Sequence, residues 1–210
     1  DQDYVMRKKP PGILLPSAHA VEREYRIMAA LQSTDVPVAR TFCLCEDSDI
    51  IGTPFYVMEK VEGRIFRQPA MPDNGSSERA AIYDAMNDTL AKMHNVDVDA
   101  VGLSDFGKKG NYFERQIGRW TKQYRASQTD DLETMENLIK WLPENLPNDD
   151  ESAIVHGDYR LGNMIIHPTK PEVAAILDWE LSTIGHPLSD LAYNCMNYHY
   201  IHPRNGGLVG

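Results

Sequence analysis

The stretch from Ile154 to Glu180 constrains this chain most. It reads Ile154-Val155-His156-Gly157-Asp158-Tyr159-Arg160-Leu161-Gly162-Asn163 and, after a break, Ile176-Leu177-Asp178-Trp179-Glu180. Between the two halves, Met164 to His167 and Val173 to Leu177 are short apolar runs flanking Pro168-Thr169-Lys170-Pro171, a turn-prone linker. The spacing predicts a β-hairpin. Antiparallel pairing about a midpoint near residue 170 sets Asn163 opposite the end of the second strand, and so close to Asp178. An amide oxygen and a carboxylate then face one point, and hard cations such as Mg²⁺ take such donors, with substrate phosphates completing the shell. Asp158 sits on the loop just before the hairpin, within reach of the same point and free to accept a proton. An Asp base, an Asn ligand and an Asp ligand beyond a hairpin are the parts of a phosphoryl-transfer site.

These residues resemble a known family. His156-Gly157-Asp158-Tyr159-Arg160-Leu161-Gly162-Asn163 with Asp178-Trp179-Glu180 is similar to the catalytic loop and metal-binding motif of the aminoglycoside phosphotransferase and choline kinase superfamily, whose fold is that of the protein kinases. The closer resemblance is to kinase-like domains fused to, or encoded near, acyl-CoA dehydrogenases. It extends through Arg7-Lys8-Lys9-Pro10-Pro11-Gly12 and Gly118-Arg119-Trp120-Thr121-Lys122-Gln123-Tyr124, hence over nearly the whole chain.

The N-terminal part supports the same reading. Tyr4-Val5-Met6-Arg7 resembles the kinase strand whose last residue is a cation touching the nucleotide phosphates; a surface basic cluster with Lys8 and Lys9 is the alternative. A helix from about Ala18 to Leu31, capped by Ser17, carries Val21, Ile27, Met28 and Leu31 on one apolar face, with Glu24 in its middle. A carboxylate on a buried stripe needs a partner. Arg7 is the candidate, and the resemblance implies the same pair, with the strand cation held by the helix glutamate so that it meets the α- and β-phosphates.

Val36 through Leu44 and Phe55 to Glu59 read as strands joined by a turn at Asp47-Ser48-Asp49. The resemblance makes Glu59-Lys60-Val61 the hinge, where backbone groups at Glu59 and Val61 meet the adenine edge. Gln68 to Ser77 reads as a surface loop, followed by a helix from about Glu78 to His94. Asn111 to Ala126 reads as an amphipathic helix with Phe113, Ile117, Trp120 and Tyr124 in one sector and Arg115, Arg119 and Lys122 opposite. That basic face is either solvated or meets an anionic substrate. Leu132 to Leu142 makes another helix, closed by Pro143, and a last one runs from Asp190 to about Tyr198. By resemblance Asp190 braces the catalytic loop through backbone hydrogen bonds. His156 reads as packing for that loop, and Glu180 as an aid to a second metal or a hydrogen-bonding partner within it.

Composition narrows the class. Apolar content of 42% and charged content of 25% over 210 residues suit a soluble globular chain able to bury a core. A net charge of −10 argues against non-specific nucleic-acid or anionic-membrane binding, and no apolar run is long enough to span a bilayer. The cysteines Cys43, Cys45 and Cys195 lack zinc-ligand spacing and favour buried thiols in a reducing compartment. No signal-peptide pattern is visible at Asp1, and the expected location is cytoplasmic.

The expected fold is therefore α+β and protein-kinase-like: a small β-sheet lobe over residues 1–60 and a mainly helical catalytic lobe over residues 61–210. It is expected to be truncated at both ends, without the hairpin that covers the ATP phosphates in the family and without helices beyond Gly210. The expected function is ATP- and Mg²⁺-dependent phosphorylation of a small-molecule hydroxyl, with a hydroxyacyl compound as one acceptor and association with an acyl-CoA dehydrogenase as one setting. A nucleotide-binding module without turnover is the alternative. A metal-dependent phosphohydrolase using His156, Asp158, Asp178 and Glu180 is disfavoured, because Asn163 and the Arg7–Glu24 pair would have no role in it.

Overall fold

The computed structural model describes residues 3–10, 20–200 and 207–208. Its first part is a three-stranded antiparallel sheet in the order β1-β3-β2, from β1 (Tyr4–Lys8), β2 (Thr41–Cys45) and β3 (Phe55–Glu59). α1 (Val21–Leu31) lies between β1 and β2 in the chain and buries Val21, Glu24, Ile27, Met28 and Leu31, the stripe that the helical period picks out. Ser17 lies outside the described residues. β2 is shorter than the run from Val36 suggests. Val36 is buried ahead of it, and Val38 instead forms a parallel bridge to Ile176. The expected turn before β3 closes as the single helical turn α2 (Ser48–Ile51), whose first free amides are met when Asp47 accepts a hydrogen bond from the Asp49 N–H at 2.8 Å.

Next come α3 (Ser76–His94), α4 (Tyr112–Ser127) and α5 (Glu133–Glu144), with Pro143 inside the last turn of α5 rather than beyond it. The Gln68–Ser77 stretch is not purely surface, because Met71 and Pro69 are buried and Met71 takes a positive φ of 43°. β4 (Ala153–Val155) leads into the site, followed by the hairpin of β5 (Met164–Ile166) and β6 (Val173–Ile176). β7 (Thr183–Gly185) pairs antiparallel with β4, and α6 (Leu188–Cys195) follows.

The hairpin is seated by both halves of the chain. Ile176 N donates to Pro37 O at 2.9 Å, and Arg64 and Ile166 exchange backbone hydrogen bonds at 2.7 and 2.8 Å. Gly63 sits so close to this bridge that a Cβ there would overlap Ile165 Cγ2 and the Ile166 carbonyl. A single cluster of buried side chains runs from Ile27, Leu31 and Tyr56 through Ile82 and Met86 to Ile154, Tyr159, Ile176 and Trp179. Within Ile154–Glu180, His156, Tyr159, Asn163, Ile176 and Trp179 are buried, while Gly157, Asp178 and the hairpin turn at residues 168–172 are exposed.

α4 departs from its sequence pattern. Tyr112 is its buried residue, while Trp120 in the apolar sector is 60% exposed. Amphipathicity reports that a face is apolar and not what covers it. No helix of the described residues is long and apolar enough to cross a membrane.

Candidate functional site

β4 delivers the chain to His156, and a left-handed turn at Gly157, φ +84°, follows. A Cβ at Gly157 would come within 2.9 Å of Leu181, so this position excludes a side chain on space as well as on conformation. The turn is fixed from below by Asp190 in the first turn of α6. Its Oδ2 accepts the His156 N–H at 2.7 Å and its Oδ1 accepts the Gly157 N–H at 2.9 Å. Asp190 is almost wholly buried, and His94 Nε2 lies 3.4 Å from its Oδ2.

His156 is fully buried, against Trp179 with ring centroids 4.8 Å apart. Burial holds its pKa below the usual value, partly offset by the charge of Asp190, so the ring is neutral near pH 7. Its partners assign the tautomer: Nε2–H donates to Leu177 O at 2.9 Å, while Nδ1 accepts the Asp158 N–H at 3.2 Å. His156 thus ties the Asp158 loop to the Asp178 loop.

The register of β5 and β6 pairs Met164 with Ile176, and Leu177 N donates to Asn163 O at 2.8 Å. Asn163 and Asp178 are thereby brought to the same end of the hairpin. Asn163 Nδ2 donates to Asp158 Oδ2 at 2.7 Å and to the Asp158 carbonyl at 2.9 Å, which leaves the amide oxygen for another partner. Asp178 stands in the left-handed region, φ 66° and ψ 59°, a conformation costing a non-glycine residue about 1–2 kcal/mol that the surrounding contacts must offset. Among the described residues no group of three or more His, Cys, Asp or Glu side chains is placed to hold a metal alone. Asn163 and Asp178 supply hard oxygen donors of the kind Mg²⁺ takes when phosphate and water complete its shell, so the donor set fits that ion.

Arg7, on β1, faces the same region. Its Nη2 lies 3.2 Å from Glu24 Oε1, 3.4 Å from Asp178 Oδ1 and 3.6 Å from Glu180 Oε2. Glu24 is buried, and its other oxygen accepts the Tyr56 hydroxyl at 3.0 Å. Desolvation pushes the Glu24 carboxyl above its usual range despite Arg7 and Tyr56, and burial likewise raises Tyr56, which donates rather than ionises. Burial works against the Arg7 charge, but Glu24 more than compensates and raises its pKa. The pair links β1 to α1, as the burial of position 24 demands.

At the end of β3, the Glu59 N–H is taken by Arg40 O at 2.8 Å, and its side chain accepts weakly from Arg40 N at 3.4 Å. The backbone groups of Val61 make no backbone hydrogen bond among the described residues.

Sequence reasoning missed the other side of Asp158. A cavity of about 310 Å³ opens there, lined by Asp158, Arg160, Arg67, Tyr193, Met196 and Tyr200, among others. Arg160 Nε donates to both Asp158 oxygens at 3.1 Å. Tyr193, on α6, is raised in pKa by burial and then by a hydrogen bond to Asp158. Arg160 stood within the quoted motif without a role, and only the fold brings Arg67 and Tyr193 to it. Arg115, Arg119 and Lys122 of α4 do not line this cavity; Arg115 is spent on the Lys108 carbonyl at 2.6 Å. Arg119 and Lys122 are exposed, whereas Arg115 is half-buried. Cys43 is exposed and Cys45 half-buried on β2, an edge strand of its sheet, and Cys195 is half-buried, so the expectation of buried thiols fails.

The sequence profile of the phosphotransferase enzyme family matches residues 1–208. Acyl-CoA dehydrogenase family member 10 of Mus musculus is 55% identical over 199 residues, which are 95% of this chain and 19% of that protein. Acyl-CoA dehydrogenase family member 11 of Homo sapiens is 48% identical over 209 residues, 99% of this chain and 26% of its own length. A crystal structure from Ralstonia eutropha, provisionally named an aminoglycoside phosphotransferase, superposes with a TM-score of 0.92 at 52% identity, covering 100% of this chain and 62% of that one. Aminoglycoside phosphotransferase APH(4)-Ia, solved with ADP and hygromycin B, shares the fold alone, at a TM-score of 0.66, 15% identity, and coverage of 94% of this chain and 65% of that one. The chain spans about a fifth to a quarter of the curated relatives and under two thirds of the Ralstonia structure.

Proposed function

The chain belongs to the phosphotransferase enzyme family, and from that premise we propose that it transfers the γ-phosphoryl group of ATP to a hydroxyl of a small molecule, a hydroxyacyl compound being the acceptor class. The observation that carries the reading is the convergence at one hairpin end of Asp158, Asn163 and Asp178 with Arg7 on the facing strand. In this reading residues 1–60 form the nucleotide-side lobe and residues 61–210 the catalytic lobe. Arg7, steadied by Glu24, orients the α- and β-phosphates. The backbone at Glu59 and Val61 meets the adenine edge. Asn163 and Asp178 hold Mg²⁺, which when bound neutralises charge on the phosphates. Glu180 lies beside Arg7 and supports that side of the site.

Asp158 orients the acceptor hydroxyl and takes its proton as the new O–P bond forms and the bond to the ADP oxygen breaks. Asn163 fixes the carboxylate through Nδ2, and Asp190 fixes the loop that carries it. The acyl assignment is supported by the names of the relatives and by a cavity at Asp158 whose charged lining, apart from Asp158, is arginine. Association with an acyl-CoA dehydrogenase, on the same chain or beside it, belongs to the same proposal.

The test is a comparison of acceptors under identical Mg²⁺ and labelled ATP. Hydroxyacyl compounds are expected to accept phosphate with a kcat/KM at least roughly a hundredfold above kanamycin or neomycin, a gap that mismatched polar groups in a pocket readily produce. Preferential phosphorylation of the aminoglycosides would overturn the acceptor assignment.

A further inference from the structure

The carboxylate proposed to receive the acceptor proton is itself held by a cation. Arg160 Nε donates to both oxygens of Asp158, and the Arg160 side chain is 40% exposed on the cavity wall. Its guanidinium lies beside the backbone of Gly162. Asp158 does not depend on Arg160 for its position, because Asn163 Nδ2 holds the same carboxylate at 2.7 Å.

Charge accounting gives the arginine a task. Arg7 is engaged with Glu24, Asp178 and Glu180 on the nucleotide side. The cations lining the cavity on the acceptor side, among the described residues, are Arg67 and Arg160, and only Arg160 hydrogen-bonds Asp158. A phosphoryl group in transfer carries its charge on its equatorial oxygens as it leaves the nucleotide, and a cation waiting on the far side stabilises that state more than the ground state.

We propose that Arg160 is a further catalytic residue, whose guanidinium turns from Asp158 onto the phosphoryl group during transfer. The proposal rests on the phosphotransfer reading above. The chemistry is unchanged: the acceptor O–H proton goes to Asp158, the acceptor oxygen bonds phosphorus, and ADP leaves with the electron pair of the broken bond. The move also releases Asp158 from its cation when it must act as a base. Planar Arg suits the work, since one face can bond two oxygens of either partner.

The experiment needs no acceptor. MgADP binding is measured by calorimetry with and without aluminium fluoride, which mimics the phosphoryl group in flight, on the protein and on Arg160→Ala, Arg160→Gln and Arg160→Lys. In the unaltered protein the fluoride complex is expected to bind roughly tenfold or more tighter than MgADP alone. Ala and Gln lose that gain, Lys keeps part of it, and all three bind plain MgADP within about twofold of the parent, as expected for a contact made only in the transition state. Gln keeps hydrogen bonding to Asp158 without the charge and carries the test if Ala fails to fold. An undiminished gain in Gln or Ala overturns the proposal, as does a parent protein that binds MgADP with no gain at all. Failure of the parent to bind MgADP overturns the phosphotransfer reading itself.

Discussion

Asp158→Asn is expected to lower turnover by a factor on the order of a hundred to ten thousand while leaving MgATP affinity nearly unchanged. The asymmetry follows from where Asp158 stands. Its carboxylate faces the cavity with Arg160 and Tyr193, and it touches the metal-side residues only through the Asn163 amide. Asn is isosteric and keeps one oxygen for the Asn163 Nδ2, whose second hydrogen bond goes to the backbone carbonyl of residue 158 and is untouched. The fold therefore has little reason to change, and what is lost is the proton acceptor. Asp178→Asn should behave differently. Its charge is what a bound Mg²⁺ requires, and it also lies 3.4 Å from Arg7, so Mg²⁺-dependent nucleotide affinity should fall with turnover. Calorimetry with MgATP and a coupled assay on both variants separate the cases. Near-normal turnover in Asp158→Asn would show that the loop does not work as a catalytic loop and would favour a binding module.

The largest effect on stability is expected at Asp190. Replacing it with Ala strands the N–H of buried His156 and frees that of Gly157, which is exposed and can turn to water. The buried donor alone costs roughly 1–3 kcal/mol, a large part of the margin of an ordinary domain. Asp190→Asn keeps one acceptor oxygen and turns an amide donor toward the other N–H, so it should recover less than half of the loss. The measurement is the denaturation midpoint at fixed pH, together with hydrogen exchange at the His156 and Gly157 amides. Unchanged protection of those amides in Asp190→Ala would contradict the role drawn for Asp190.

The parts of the site that could be read from the sequence are those set by short-range rules. Pro168 to Pro171 between two apolar runs fixes a hairpin, and the side-chain period of strands then fixes which residues share its end. Glu24 stands out because a charge at the centre of a helix's apolar stripe is a contradiction that only a partner resolves. The pieces that escaped depend on distant segments. β4 and β7 are three residues each and are paired across the whole hairpin, too short to announce themselves by alternation. Arg67 and Tyr193 meet Arg160 only because α6 and the turns before α3 fold onto the same cavity. Trp120 shows the reverse error. Its spacing on α4 matches a buried face, yet it is solvent-exposed, since periodicity describes one helix and burial needs two surfaces.

The central claim is that the convergence of Asp158, Asn163 and Asp178 at the hairpin end moves phosphate from ATP to a hydroxyl. Phosphorus NMR of the protein with MgATP and a set of hydroxyacyl compounds tests it most directly. The account predicts that the γ-phosphate signal is replaced by a phosphomonoester signal in step with the appearance of ADP, and that Asp158→Asn suppresses both. ADP accompanied only by inorganic phosphate, at a rate indifferent to every acceptor, would identify a phosphohydrolase and contradict it.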